Sequence, residues 1–204
     1  MNAALLPTSY LGPLNYYSKL KTYEQCEIEQ FEHLPKQTFR SRCTIYSPNG
    51  PLILSVPLVK RNHRQHMKEV KIAYEYDWLK LHWRTLESAY RRSPFFEYYE
   101  DDFQPFYATK KYDYLLDFNE ALQQKVLSLL KLKKHYTFTS EYIKTPVDKR
   151  DYRDLFSQKD LPKADTDFKV APYMQVFETK HGFVPNLSIV DLLFNTGSKA
   201  LDYL

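Results

Sequence analysis

The opening of the chain constrains it most: within the first 31 residues, two short apolar runs flank one helical stretch. Ala3 to Leu6 is apolar and closed by Pro7, which suits a buried strand. Thr8-Ser9-Tyr10-Leu11-Gly12-Pro13 follows as a loop, because proline and glycine punctuate it. Leu14 to Leu20 reads as a helix ending near Lys21, and Gln25 to Phe31 alternates around Cys26, Ile28 and Phe31 as a second strand. A helix between two strands returns the chain so that the second strand runs beside the first in the same direction. The expected fold class is therefore α/β, a single domain over residues 1–204 with a mixed or mainly parallel sheet flanked by helices.

Further along, Cys43 to Tyr46 and Leu52 to Leu58 flank Ser47-Pro48-Asn49-Gly50-Pro51, where Asn-Gly supplies the positive φ angles that a tight hairpin needs. Glu69 to Ala73 alternates and reads as another strand. Trp78 to Arg92 places Leu79, Trp83, Leu86 and Tyr90 on one helical face, with Ser93-Pro94 as its stop. A second helical stretch runs from Pro94 to Tyr107, and Tyr112 to Leu132 is the longest helix. His135 to Thr139 alternates as a strand. Lys144 to Phe168 is crowded with charge and poor in large aliphatics, so it reads as a surface excursion or lid. Structure resumes at Tyr173 to Phe177, and Ser188 is placed to cap a final helix, Ile189 to Phe194, with Asp191 in its first turn.

Charge and cysteine usage exclude several classes. The formal charge is +4, with basic residues interleaved among carboxylates, which suits an anionic small molecule and speaks against nucleic acid as a partner. Cys26 and Cys43 are too few for a disulfide framework and are read as reduced thiols on buried strands. No stretch approaches the length of a membrane span, and Met1 to Pro7 lacks the basic and apolar regions of a signal peptide, so the expected location is the cytoplasm. The chain has four glycines, at 12, 50, 182 and 197, so neither a P-loop nor a dinucleotide fingerprint is present. There is no nucleophile elbow and no Cys-x-x-Cys. The sequence names no cofactor and no metal. The 18 tyrosines and 13 phenylalanines suit either an aromatic core or a pocket wall.

Three clusters carry candidate chemistry. In Lys36-Gln37-Thr38-Phe39-Arg40-Ser41-Arg42, residues i and i+2 of an extended strand share a face, so Arg40 and Arg42 are placed to grip one anion, with a solvated basic face as the alternative. His63 and His66 have no nearby carboxylate to complete a metal set, and the stretch around them reads as a loop. His82 lies in the apolar arc of its helix beside Trp78 and Leu86, either satisfied in the core or facing a pocket.

In order along the chain, Leu6-Pro7-Thr8-Ser9-Tyr10-Leu11-Gly12-Pro13 with Tyr16-Tyr17-Ser18-Lys19-Leu20, Glu32 with Lys36 through Cys43, Leu81-His82-Trp83-Arg84 with Ser93-Pro94-Phe95-Phe96, and Phe183 through Asn195 resemble the WbqC-like bacterial family, in its Bacteroides-type form. The family often carries Asn between the paired arginines, where this chain has Ser41, a shorter group with less hydrogen-bonding capacity. The resemblance implies a role in bacterial surface-polysaccharide biosynthesis, with an acyl- or aminoacyl-type transfer onto an anionic, nucleotide-linked sugar. It transfers Pro7, Tyr10, Lys36, Gln37, Arg40, Arg42, His82 and Asp191 as candidates for a pocket; the leading reading takes them as substrate-binding, with Lys36, Arg40 and Arg42 on phosphates and His82 as general base if it opens to the same cleft. Two alternatives stay open: a non-catalytic binding or scaffold protein of the same pathway, and a nucleotidyltransferase-like enzyme. The latter is suggested by the strand–loop–helix opening, although the histidine-glycine-histidine element of such enzymes is missing after Leu6.

Overall fold

The structure, a computed structural model, describes residues 2–60, 65–156 and 165–204. Its elements run β1 (Ala3–Pro7), α1 (Leu14–Thr22), β2 (Gln25–Glu29), β3 (Arg42–Ser47), β4 (Gly50–Ser55), α2 (Trp78–Tyr90), α3 (Phe96–Ala108), α4 (Leu115–Leu129), β5 (Thr137–Phe138), β6 (Arg150–Asp151), α5 (Glu178–His181) and α6 (Ile189–Thr196). Short 3₁₀ turns at Met67–Glu69 and Gly197–Tyr203 complete them.

The opening folds as its pattern dictates. Ala4, Leu5 and Leu6 are buried, as befits a central strand covered on both faces, and β1 pairs in parallel with β2 from Ala3↔Gln25 to Pro7↔Glu29. The four-stranded sheet has the order β5-β2-β1-β6, and every pairing is parallel. Counted in chain order, its strands lie third, second, first, fourth. The sheet therefore grows to one side of β1 through β2 and β5, then to the other through β6. A crevice forms where the direction of growth reverses, at the carboxyl ends of β1 and β6.

Part of the stretch 144–168, read as a surface excursion, is drawn into the sheet, and residues 157–164 of it lie outside the described residues. Arg150 and Asp151 add an edge strand to β1, and Tyr152, Arg153 and Phe156 are buried behind it. The strand expected over Glu69 to Ala73 does not form. Val70 accepts from the Leu115 amide and Ile72 donates to the Asp113 carbonyl, so this stretch makes isolated bridges rather than a ladder. β3 and β4 pair antiparallel in a separate two-stranded sheet, with Ser47 opposite Gly50. Positive φ falls at Gly50 (100°), whereas Asn49 keeps a negative one. Pro48 and Asn49 make the turn, and the Ser47 hydroxyl donates to the Gly50 carbonyl (2.7 Å).

Helix α2 is capped by Asp77, whose carboxylate accepts from the Lys80 amide (3.3 Å). It buries Trp78, Leu79, His82, Leu86, Ala89 and Tyr90, the arc that its periodicity marks out. α6 starts after Ser188, but the Ser188 hydroxyl donates back to the Leu11 carbonyl (2.7 Å) instead of capping its own helix. Gly197 ends α6 at φ 60°, and an added Cβ would lie 2.6 Å from the Phe95 ring. Gly197→Ala is therefore expected to cost about 1–3 kcal/mol through left-handed strain and overpacking, read as a lower midpoint in urea denaturation.

Candidate functional site

A cavity of about 420 Å³ lies at the reversal point, within the range of small-molecule sites. Asn15 from the first turn of α1, Thr44 from β3, Phe39 before β3, and Leu155 and Phe156 after β6 line it, closed by Asp165, Phe168 and residues 184–187. Its position follows from topology: α1 begins past the carboxyl end of β1, and 155–156 lie past the end of β6.

The start of α1 would ordinarily offer free amides to a phosphate. Here they are spent internally. The Leu14 amide donates to the Leu187 carbonyl (3.1 Å), the Asn15 amide to Asn186 Oδ1 (3.0 Å), and the Tyr16 amide to the Pro13 carbonyl (3.0 Å). Anion binding is displaced one turn along the helix. Asn15 Nδ2 and Lys19 Nζ, at i and i+4, donate to the two oxygens of Asp165 at 3.1 and 2.8 Å. Lys19 is 2% exposed and its ammonium also lies 5.0 Å from the centre of the Tyr152 ring. Among the described residues, Asn15 Oδ1 is buried with no hydrogen-bond partner and the Thr44 hydroxyl makes no hydrogen bond.

Below the cavity, the carboxyl edge of the sheet carries an ionic network. Glu29, fully buried at the end of β2, accepts from the Phe31 amide (2.8 Å), the Thr139 hydroxyl (2.9 Å), the Ile143 amide (3.1 Å) and Arg153 (3.3 Å). Arg153 also grips Asp151 (2.6 Å), and hydrogen bonds to that guanidinium hold the Asp151 carboxyl below the usual range against the opposing effect of burial. Arg40 makes a two-pronged pair with Glu32, at 2.6 and 2.7 Å, and donates to the Arg153 carbonyl (3.3 Å). Its Nη1 is buried and unpartnered among the described residues.

The paired arginines therefore do not share a strand face. β3 starts at Arg42, and Arg40 belongs to the preceding turn, in which the Ser41 amide donates to the Thr38 carbonyl (3.2 Å). Arg40 is locked to a carboxylate of its own chain, while Arg42 is half-buried and makes no ion pair among the described residues. Lys36 and Gln37 are exposed, Gln37 at φ 58°. Pro7 ends β1, its carbonyl accepting from the Tyr16 hydroxyl (2.9 Å).

Tyr10 and His82 do meet. The Tyr10 hydroxyl lies 2.9 Å from His82 Nδ1 and 2.9 Å from the Tyr107 hydroxyl, and the Ser55 backbone also bonds to the imidazole. Burial pushes His82 down to about 4, so it is neutral at pH 7, and its polar atoms are satisfied inside the core. Asp191 lies in another buried cluster, where Oδ2 accepts from the Tyr173 hydroxyl (2.6 Å) and Gln175 Nε2 (3.1 Å). Burial raises it to about 6, with those donors and Tyr90 pulling it back. Apart from Tyr10 and His82, which share one, the eight residues that the sequence singled out fall into separate environments, and none of them lines the cavity. Lys19, Asn15, Asp165 and the phenylalanines escaped the sequence reading. A lysine on a short helix and an aspartate 146 residues later carry no local signal of their contact.

His63 lies outside the described residues. His66 Nδ1 donates to the Phe31 carbonyl, and among the described residues no cluster of three or more His, Cys, Asp or Glu is placed to hold a metal. Cys26 and Cys43 are free and buried in β2 and β3. No helix among the described residues is long and apolar enough to cross a membrane.

Fold and cavity together define an α/β protein with a mainly parallel sheet and a cavity at the reversal of its strand order. The chain belongs to the WbqC-like protein family, whose model matches residues 8–203. It is 27% identical to the uncharacterized protein Rv1507c of Mycobacterium tuberculosis (strain ATCC 25618 / H37Rv), over 98% of this chain and 96% of that one. No solved structure matches the chain.

Proposed function

We propose that the protein is a cytoplasmic transferase, of the acyl- or aminoacyl-type, acting on an anionic, nucleotide-linked sugar in bacterial surface-polysaccharide biosynthesis. The observation that carries the reading is the cavity at the carboxyl ends of β1 and β6, with aromatic walls, an amide oxygen on Asn15 unpartnered among the described residues, and the buried Lys19 paired with Asp165 beside it. A sugar ring has apolar faces for the half-buried Phe39 and Phe168, and hydroxyls that can donate to Asn15 Oδ1 once it is uncovered. In this reading Tyr10 and His82 position the loop that leads from β1 into α1, and Arg40 fixes the turn that presents Phe39.

Isothermal titration of the full chain with UDP-sugars tests the binding step. Micromolar to millimolar affinity is expected, weakened about tenfold or more in Phe168→Ala by loss of a stacking face worth roughly 1.4 kcal/mol. Absence of binding for every UDP-sugar would remove the proposal. Transfer of a labelled acyl group to a bound sugar is the second readout. One observation favours the non-catalytic alternative: among the described residues no histidine or cysteine lines this cavity, so no familiar nucleophile–base pair faces the ligand. Tight binding without turnover of any acyl donor is the outcome that would establish it.

A further inference from the structure

Asp165 sits where a ligand's negative charge would go. One oxygen accepts from Lys19 Nζ (2.8 Å) and from the Asp167 amide (3.1 Å), and the other accepts from Asn15 Nδ2 (3.1 Å). The two side-chain donors belong to α1, and the carboxylate arrives from 146 residues later in the chain. Asn15 is itself a wall of the cavity, and its other polar atom, Oδ1, is buried and unpartnered among the described residues. A site built only to hold Asp165 would have no use for an acceptor left empty beside it, since an unsatisfied buried oxygen is costly.

Among the described residues, the segment that brings Asp165 is fastened by exchangeable polar contacts and by Phe168, which packs against the core. Asp167 accepts from Arg150 (2.5 Å) and the Tyr152 hydroxyl (3.0 Å) on the exposed side, and Phe168 closes the cavity. We infer that Lys19 and Asn15 form the oxyanion subsite of this cavity, and that Asp165 is its built-in occupant, displaced when a substrate carboxylate or phosphate enters. The inference rests on the proposed substrate class for its biological ligand. The subsite itself is defined by charge and geometry. Displacement moves the Asp165 carboxylate outward and leaves Asn15 Oδ1 to accept a hydroxyl of the same ligand. Affinity is thereby restricted to molecules that supply both an oxyanion and a neighbouring donor.

Hydrogen exchange at the Asp167 amide reads the displacement directly, because that amide is held by the Asp165 side chain. Inorganic phosphate and acetate are the probes, with chloride at equal ionic strength as the control. Phosphate or acetate is expected to accelerate exchange at Asp167 at least fivefold in the wild type, and whichever acts more strongly identifies the oxyanion. Asp165→Asn, which keeps an acceptor for the Asp167 amide but removes the negative charge beside Lys19, is expected to bind phosphate about tenfold more tightly. Lys19→Met is expected to lose the phosphate response. Should Lys19→Met not fold, Asp165→Asn alone decides. Exchange unchanged by both anions in the wild type, with phosphate affinity unchanged or lower in Asp165→Asn, overturns the inference. A positive exchange result with no UDP-sugar bound would leave the subsite standing and overturn only the substrate proposed above.

Discussion

Replacing Glu32 by alanine is expected to destabilise the protein by about 3–5 kcal/mol, the range found when one partner of a buried ion pair is removed. Glu32 and Arg40 are almost wholly shielded from water, joined by two short charge-assisted bonds. Without the carboxylate, Arg40 keeps its hydrogen bond to the Arg153 carbonyl but loses its counter-charge, and its Nη1 already has no partner among the described residues. The double variant Glu32→Ala with Arg40→Met is expected to recover much of the loss, because the uncompensated buried cation goes with its partner. Urea denaturation of the two single variants and the double variant checks this as a thermodynamic cycle. A loss below about 1 kcal/mol in Glu32→Ala, typical of exposed pairs, would show that Arg40 reaches water or another anion, and would restore it as a candidate for the substrate.

The second large effect is a pH dependence centred on Asp191. Its folded-state value, about 6, lies above the ordinary carboxyl value of 3.8, so the folded protein holds a proton that the unfolded chain has released between those limits. Stability therefore falls as pH rises from about 4 through about 6, in all by roughly 3 kcal/mol at 1.36 kcal/mol per unit. The contribution is fully present below pH 4 and gone above pH 6. Asp151 and Asp167 titrate with the opposite sign, since their carboxyls are held below the ordinary value and their stabilisation is lost on acidification. The comparison that isolates Asp191 is wild type against Asp191→Asn, which resembles the protonated carboxyl in shape and still accepts from Tyr173 and Gln175. The difference in unfolding free energy between the two is expected to change by roughly 3 kcal/mol between pH 4 and pH 7, in favour of the asparagine at neutral pH. A difference that stays flat across that interval would show that Asp191 is already ionised at pH 4.

Both effects arise at residues for which the sequence suggested a ligand. Arg40, Asp191 and His82 stand out as polar groups in or beside apolar patterns, and the structure places all three in the interior. Burial of a polar side chain leaves the same trace in a sequence whether the partner is a ligand or another part of the chain. Glu32, Tyr173 and Tyr10 are those partners, and the distances to them are what separate the cases.

The sequence by itself determined the elements whose hydrophobic period is strong and local. β1, α1, β2, the long helices α2, α3 and α4, and the parallel pairing at the opening all follow from spacing and punctuation within a few turns of chain. It did not determine β6. Arg150 and Asp151 are two exposed charged residues with no alternation, and they become a strand because the edge of β1 offers unpaired backbone groups. With β6 came the reversal of strand order, and with that the cavity. The meeting of Lys19 with Asp165 was likewise decided in three dimensions. An ion pair between residues so distant along the chain is fixed by the path of the whole backbone between them, and no local pattern of residue types encodes that path.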